Sequence, residues 1–406
     1  MRFKHLWIVL SGILVLSVNA QNKLTIDEAI KLALEKNIEI QKQKTNISNS
    51  ESNLSNSTQL PNPIFSYTRE DLKDGFINYG EWTASGSIPI NFLWERWSNI
   101  EAKENILESQ KLLLEHQQTS LISKVKEAYS AVDIHNRLML KLNTTLSQLS
   151  VLAETAKLRF REGDISEYEL QRILIELNKL KFVVSETELQ KSDYENILKL
   201  LIGYEIEKNL LTEPLVMNEE LIFTKNELIN LALQNRKDLA ASALIIEGEN
   251  LYLTHNKLKA FPTINLTAGY KEQIDELKGT ILQIDFEIPL FNRNQIGIGQ
   301  SEIELSILEK EKIFLIEKIK ADVYETYNRY AANKELIQNQ RDIQLQNIFN
   351  TAAYSYEQGE ISLVEFIDGI NAYVDAILLT NRTEINYTHS FYRLQKAVGI
   401  TLNDFE

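Results

Sequence analysis

Residues 24–37 read LTIDEAIKLALEKN, and residues 223–236 read FTKNELINLALQNR. Three further pairs follow the first. SIPIN from Ser87 returns as EIPLF from Glu287, LRFREGDISEYEL around Gly163 as YSYEQGEISLVEF around Gly359, and the LLIG ending at Gly203 as the KAVG ending at Gly399. The offsets are 199, 200, 196 and 196, nearly constant across most of the chain. That regularity marks a duplicated structural unit rather than chance likeness. The expected division is a first repeat over residues 21–222 and a second over 223–406.

Ahead of the first copy stands MRFKHLWIVLSGILVLSVNAQN, with Arg2 and Lys4 before an apolar run from Leu6 to Val18 and a small residue, Ala20, at a cleavage point. The run is too short to span a bilayer, so residues 1–20 read as a secretory signal peptide rather than a buried helix. The chain holds no cysteine, which excludes disulfides, thiolate metal sites, a cysteine nucleophile and a lipid-bearing N-terminal cysteine. Its net charge is −14, and −16 once Arg2 and Lys4 leave with the leader; so acidic a chain is a poor binder of nucleic acid. No later stretch has the length and apolarity of a transmembrane helix, so any insertion must be by β-barrel.

Proline maps the rest. All six prolines fall at Pro61, Pro63 and Pro89, at Pro214, and at Pro262 and Pro289, leaving residues 90–213 and 290–406 both free of proline and open to long helices. From Leu121 an apolar seam runs through Val125, Ala128, Val132, Met139, Leu142, Leu146, Leu149, Ala153, Ala156 and Phe160 in steps of three and four. It predicts a helix over about 96–160, a break at Gly163 and a partner helix over about 166–201, so that one helical hairpin covers about 96–202. The second hairpin is expected over about 294–399, with helices near 294–356 and 363–398.

Strands are expected at about 64–71 and 80–91 in the first repeat and at about 262–273 and 279–291 in the second. Trp82, Ala84, Gly86, Ile88 and Ile90 alternate with Thr83, Ser85 and Ser87. Ile264, Leu266, Ala268 and Tyr270 likewise alternate with Asn265, Thr267 and Gly269, and Leu282, Ile284, Phe286, Ile288 and Leu290 with Gln283, Asp285 and Glu287. One apolar and one polar face suit a strand between lipid and a water-filled lumen; a soluble sheet packed on one side shows the same alternation. The leader and the lack of a transmembrane helix favour the barrel. Membrane barrels need about eight strands to close, so four strands per chain require an oligomer, and eight or twelve strands are both open.

In this layout of leader, helix, two strands and helical hairpin, then all of it again, the chain resembles the TolC-like outer-membrane factors, the outer membrane efflux protein family. The most specific pieces are REGDIS at Arg161 and EQGEIS at Glu357. LPNPIFSYTRE at Leu60 and IPLFNRNQIGIGQSEIE at Ile288 are similar to the cobalt-zinc-cadmium resistance branch. The resemblance implies a mainly α fold with a small β part. Long hairpins would form an α-barrel through the periplasm, and three chains would build a twelve-stranded outer-membrane β-barrel. The partners it implies are a homotrimer, a periplasmic adaptor, an inner-membrane transporter, expected to be proton-driven, and outer-membrane lipid, with no cofactor.

Gly163 and Gly359 read as helix ends, with Ser166 and Ser362 capping the next helix and Glu169 and Glu365 completing capping boxes. That structural reading suffices for each loop alone. The resemblance adds that Arg159, Gly163, Asp164, Ile165, Ser166, Gly359, Glu360, Ile361 and Ser362 meet the adaptor, and that Glu365 and Asp368 form acidic rings at the periplasmic aperture. Gln283, Asp285 and Glu287 are expected to line the barrel lumen, and Trp82, Trp94, Trp97 and Tyr270 to sit near strand ends, as belt or core residues.

Catalytic patterns are missing. His116, His135, His255 and His389 are isolated in sequence, Ser123 and Lys126 form a Ser-x-x-Lys without companion motifs, and Gly297 and Gly299 lack a nucleotide-loop context. The expected function is a passive exit duct, not an enzyme, carrying divalent metal cations out of a tripartite pump. The alternatives are a periplasmic helical scaffold without a pore, and the same duct serving drug export or type I secretion.

Overall fold

The structure, a computed structural model, describes residues 23–215, 223–340 and 345–400. The proposed leader, residues 1–20, lies outside the described residues, as do the 222/223 repeat boundary and residues 341–344. The elements run α1 (Ile26–Lys36), α2 (Ile38–Ser57), β1 (Ile64–Asp74), β2 (Ile77–Pro89), α3 (Phe92–Glu162), α4 (Glu167–Ile202), α5 (Lys225–Asn235), α6 (Lys237–Leu258), β3 (Thr263–Gln273), β4 (Lys278–Glu287), α7 (Gln295–Gln340), α8 (Leu345–Glu357) and α9 (Leu363–Val398). None of the described helices is long and apolar enough to cross a membrane.

Helix starts follow from side chains that satisfy orphan amides. Thr25 and Thr224 accept from the amides of Glu28 and Glu227, whose carboxylates return to the threonine amides, so α1 and α5 open on the same capping box. The 71 residues of α3 make a rod of about 105 Å. It starts four residues before the expected position, immediately after Asn91, whose side chain caps no helix amide but ties the helix start to the sheet: its Nδ2 donates to Glu95 Oε1 and its Oδ1 accepts from the Ile264 amide.

The duplication is visible in packing. One core cluster holds Ala29, Ala33, Leu121, Val125, Val132, Leu198 and Ile202; another holds Leu228, Ala232, Ile319, Val323, Tyr330, Leu394 and Val398, the same positions displaced by 196 to 199 residues. The third cluster joins both hairpins, packing Leu142, Leu149 and Ala153 of α3 and Ile173 of α4 against Phe349 of α8 and Phe366, Ile370 and Tyr373 of α9. The two hairpins therefore run side by side, with both turns at the same end.

The four strands form one antiparallel sheet in the order β1-β2-β3-β4. Its register joins Tyr67, Ala84, Tyr270 and Thr280 in one row, and Ser66, Ser85, Gly269 and Ile281 in the next. Paired residues share a face, so the apolar positions of all four strands fall together and the polar ones opposite. On the apolar face Trp82 lies between Tyr67 and Tyr270, ring centroids 6.1 and 5.7 Å away. Strand limits differ from the sequence reading at the first hairpin turn and at the end of β4. β1 and β2 extend further, to Asp74 and from Ile77, because Gly75 at φ 61 allows a tight two-residue turn. β4 stops at Glu287 rather than 291, since Pro289 has no N–H to donate to a ladder.

The Tyr129 hydroxyl, on α3, lies 2.7 Å from the Leu24 carbonyl oxygen and 2.9 Å from that of Glu213. It clasps the segment entering α1 to the segment leaving α4, beside the Leu24–Thr212 bridge. Tyr129→Phe is expected to lower the unfolding free energy by about 1–2 kcal/mol, as a buried hydrogen bond is lost and the carbonyls are left without it. Denaturant unfolding of the purified chain in detergent measures this, and an unchanged midpoint would remove the clasp from the account.

Candidate functional site

At the shared end of the hairpins the two turns are built alike. α3 ends with Gly163 at φ 84, its amide donating to Phe160 O at 3.1 Å and that of Asp164 to Arg159 O at 2.9 Å. α8 ends with Gly359 at φ 74, its amide donating to Tyr356 O at 3.1 Å and that of Glu360 to Ser355 O at 2.8 Å. Both are Schellman closures, which need a left-handed residue and hence favour glycine. A Cβ added at either glycine meets nothing within 4 Å, so the constraint is the backbone angle and not space.

The chain then re-enters helix at once. Ser166 and Ser362 accept from the amides of Glu169 and Glu365, and both glutamates return a carboxylate oxygen to the serine amide, at 2.9 and 2.7 Å. Between closure and cap, Ile165 and Ile361 are half-buried against the joint hairpin core. Each loop is thus anchored by one apolar side chain and leaves Gly163, Asp164 and Ser166, or Gly359, Glu360 and Ser362, at the surface. Arg159 is half-buried one turn above, and Tyr356 stacks on Phe366 at 4.8 Å, closing the base of the second loop.

The two copies diverge just past the caps. Glu365 and Asp368 are both exposed on one face of α9, opposite Phe366, Ile367 and Ile370. Hydrogen bonds from the Ser362 amide and hydroxyl hold Glu365 below the ordinary carboxylate range. One of its oxygens is therefore committed to the cap that the Ser-x-x-Glu spacing indicates. The first copy has Glu169 in the same cap and a half-buried Arg172 in place of Asp368.

At the far end of the molecule, Gln283, Asp285 and Glu287 sit on the polar face of β4, opposite Thr267, Asn265 and Thr263 of β3. Gln283 Nε2 donates to Asp285 Oδ1 at 2.6 Å. The structure keeps this group with the strands and far in sequence and space from the helix turns, so the candidate residues form two separate surfaces.

The histidines serve packing. Ring nitrogens of His135, His255 and His389 lie 2.8, 2.8 and 3.0 Å from the carbonyls of Ala131, Glu95 and Glu127, and burial lowers the pKa of each. Among the described residues no group of three or more His, Cys, Asp and Glu is placed to hold a metal ion. Ser123 donates to the Tyr392 carbonyl at 2.9 Å and the Lys126 ammonium stands 5.5 Å from the Tyr392 ring, so both bind α3 to α9.

This architecture, long paired hairpins carrying a four-stranded sheet, is that of outer-membrane channels of the TolC type. The structure of CusC, described in terms of folding and transmembrane channel formation, superposes with a TM-score of 0.74 at 16% identity, over 93% of this chain and 92% of the other. The CmeC outer membrane channel of Campylobacter jejuni gives 0.77 at 15% identity, covering 92% and 85%. The open-state MtrE outer membrane channel of Neisseria gonorrhoeae gives 0.73 at 14% identity, covering 93% and 89%. At these identities the likeness is one of fold. In sequence, residues 228–400 match the family model described as outer membrane efflux protein, which lies within the second repeat. No curated protein matches the chain.

Replacing Ser362 by Ala, or Ser166 by Ala, is expected to cost about 1 kcal/mol each, the usual worth of a helix N-cap. Thermal unfolding in detergent reads the loss, and Ser362→Asp, which keeps an acceptor at the cap, should restore most of it.

Proposed function

We propose that this chain is the exit duct of a tripartite efflux system, a homotrimer in the outer membrane of a Gram-negative bacterium that extends into the periplasm. The observation that carries the reading is the sheet. Its faces differ in polarity, and its outer strands β1 and β4 each have one edge without a partner strand among the described residues. Long open edges recruit further strands, and in a bilayer closure is obligatory. Three copies, each contributing its repeats 21–222 and 223–406, close twelve strands with the apolar face toward lipid and Gln283, Asp285 and Glu287 toward the lumen. The helices support lateral assembly as well: Tyr168, Ile175, Phe182 and Leu189 of α4 are exposed at intervals of seven, the spacing of a seam for a neighbouring helix.

The duct performs no chemistry; an inner-membrane transporter, proton-driven, supplies the energy. Arg159, Gly163, Asp164, Ile165, Ser166, Gly359, Glu360, Ile361 and Ser362 form the surface that meets the periplasmic adaptor. Glu365 and Asp368, repeated three-fold, constrict the periplasmic mouth with rings of carboxylates that hold cations and oppose anions. The cargo is divalent heavy-metal cations, a reading supported by the cobalt-zinc-cadmium-like segments at Leu60 and Ile288 and by the acidic face of β4.

Gly359→Arg is expected to abolish export while heat-sensitive oligomers still fractionate with the outer membrane, and Gly359→Ala, equally strained but without bulk or charge, should export normally. Normal export by the arginine variant would overturn the adaptor surface, and release of the wild-type chain by salt alone would point to a scaffold instead. In planar bilayers, divalent cations should depress single-channel conductance, and Glu365→Asn with Asp368→Asn should remove that sensitivity. Sensitivity that survives both substitutions would place the aperture elsewhere.

A further inference from the structure

A barrel in the outer membrane needs an outward apolar band about 25 Å tall. The apolar face of this sheet falls short of that. From Tyr270 to Ile264 the strand advances six residues, on the order of 20 Å, which a tilt of about 40° reduces to about 15 Å of height. On the side away from the helices the band is interrupted at Trp82, where the outward positions level with it and next beyond include Arg69, Asp71, Glu272 and Lys278, joined in ion pairs of 3.3 and 3.2 Å, and a lone exposed Ile274 lies past them. The missing height, about 10 Å, lies toward the helices.

The start of α3 has the matching pattern. Along one exposed stripe the residues are Leu93 and Trp97, then Glu101, Glu104, Glu108 and Lys111. The stripe changes from apolar to charged within a single turn, and Trp97 lies about 9 Å along the helix from Asn91. At the other junction Leu290 and Phe291 are 67% and 92% exposed, and Leu290 continues the outward alternation of Leu282, Ile284, Phe286 and Ile288 beyond the end of β4. Each junction also carries an arginine. The half-buried Arg96 donates through Nη2 to the Thr58 carbonyl, with its guanidinium 5.9 Å from the Trp97 ring centroid, and exposed Arg293 donates through Nε to the Pro289 carbonyl. Aromatic rings beside arginines are the composition of a bilayer interface, with rings at the level of the acyl boundary and guanidinium groups at the phosphates.

We infer that Leu93, Trp97, Leu290 and Phe291 form a collar seated in the periplasmic leaflet, with the exposed Arg293 at its phosphate level. The lipid-contacting surface is thereby part strand and part helix. The inference rests on the duct reading. A helix from a second copy is the poorer occupant, because such a seam runs on for several turns, as that of α4 does from Tyr168 to Leu189, whereas this stripe turns acidic after Trp97.

The chain has no cysteine, so nitroxide labels can be placed singly by Trp97→Cys, Phe291→Cys, Phe286→Cys and Glu108→Cys in the full chain. Each variant is reconstituted into vesicles of phosphatidylethanolamine and phosphatidylglycerol, and collisions with oxygen and with a nickel chelate are read by electron paramagnetic resonance. Labels at 97 and 291 should match the label at 286, open to oxygen and closed to the chelate, while the label at 108 is open to the chelate. Chelate access at 97 and 291 with exclusion at 286 overturns the collar alone. Closure to both reagents at 97 and 291 overturns it in favour of contact between copies. Chelate access at 286 overturns the duct reading, and the collar with it.

Discussion

The free edges of β1 and β4 are the constraint on which the rest of the molecule depends. Strands of 11 and 10 residues present a row of amides and carbonyls with no partner strand among the described residues. In water such a row invites pairing with another chain, and in hydrocarbon each unsatisfied group costs several kcal/mol. The long helices meet the same incompleteness in another form. Their buried faces pack within the chain, but large apolar side chains such as Phe182 on α4 and Phe314 on α7 remain about 70% exposed. On the proposed reading a single copy is a sector of a larger closed object, and these exposed apolar side chains are where its neighbours would pack.

Much of this architecture was legible because it rests on strong local signals. Glycine at a left-handed helix end, followed by Ser and then Glu, specifies helix, turn and new helix within about eight residues, so α4 and α9 begin where Ser166 and Ser362 indicate. Strand faces were legible because the alternation has period two, and the register brings the apolar positions of all four strands together. Less legible was whatever depends on distant partners. The run ISNSESNLSNS in α2 has the composition of a loop, yet it continues a helix whose earlier turns are anchored by Gln43 Nε2 donating to the Gln110 carbonyl of α3. The roles of Asn91 and Tyr129 likewise lie in contacts to residues more than eighty positions away. The double duty of Glu365, cap and aperture candidate, was visible in spacing, which shows the cap and puts Asp368 three residues on along the same face; the fold adds that both are exposed.

The duplication also shows what a repeat preserves and what it releases. Core positions are kept almost one for one, from Ala29 and Leu228 to Ile202 and Val398. Junctions are not: Arg236, which stands where the first copy has Asn37, is buried and holds Asp238 in a two-point pair, with Asp322 as a second partner at 3.3 Å. Similar backbones have thus acquired different chemistry at the α1–α2 and α5–α6 joints, as they have next to the two loops.

The change of offset along the chain is taken in small steps. Pro89 to Gly163 spans 74 residues and Pro289 to Gly359 spans 70, whereas the return legs to Gly203 and Gly399 are both 40. The core pairs Leu121–Ile319, Val125–Val323 and Val132–Tyr330 stand at 198, so two residues are lost before this cluster and two after it. Two residues swing a helical face about 200° round, so the outgoing legs do not carry one buried stripe from end to end at a fixed offset, whereas the return legs, with Leu198–Leu394 and Ile202–Val398 at the same 196 as their glycines, do.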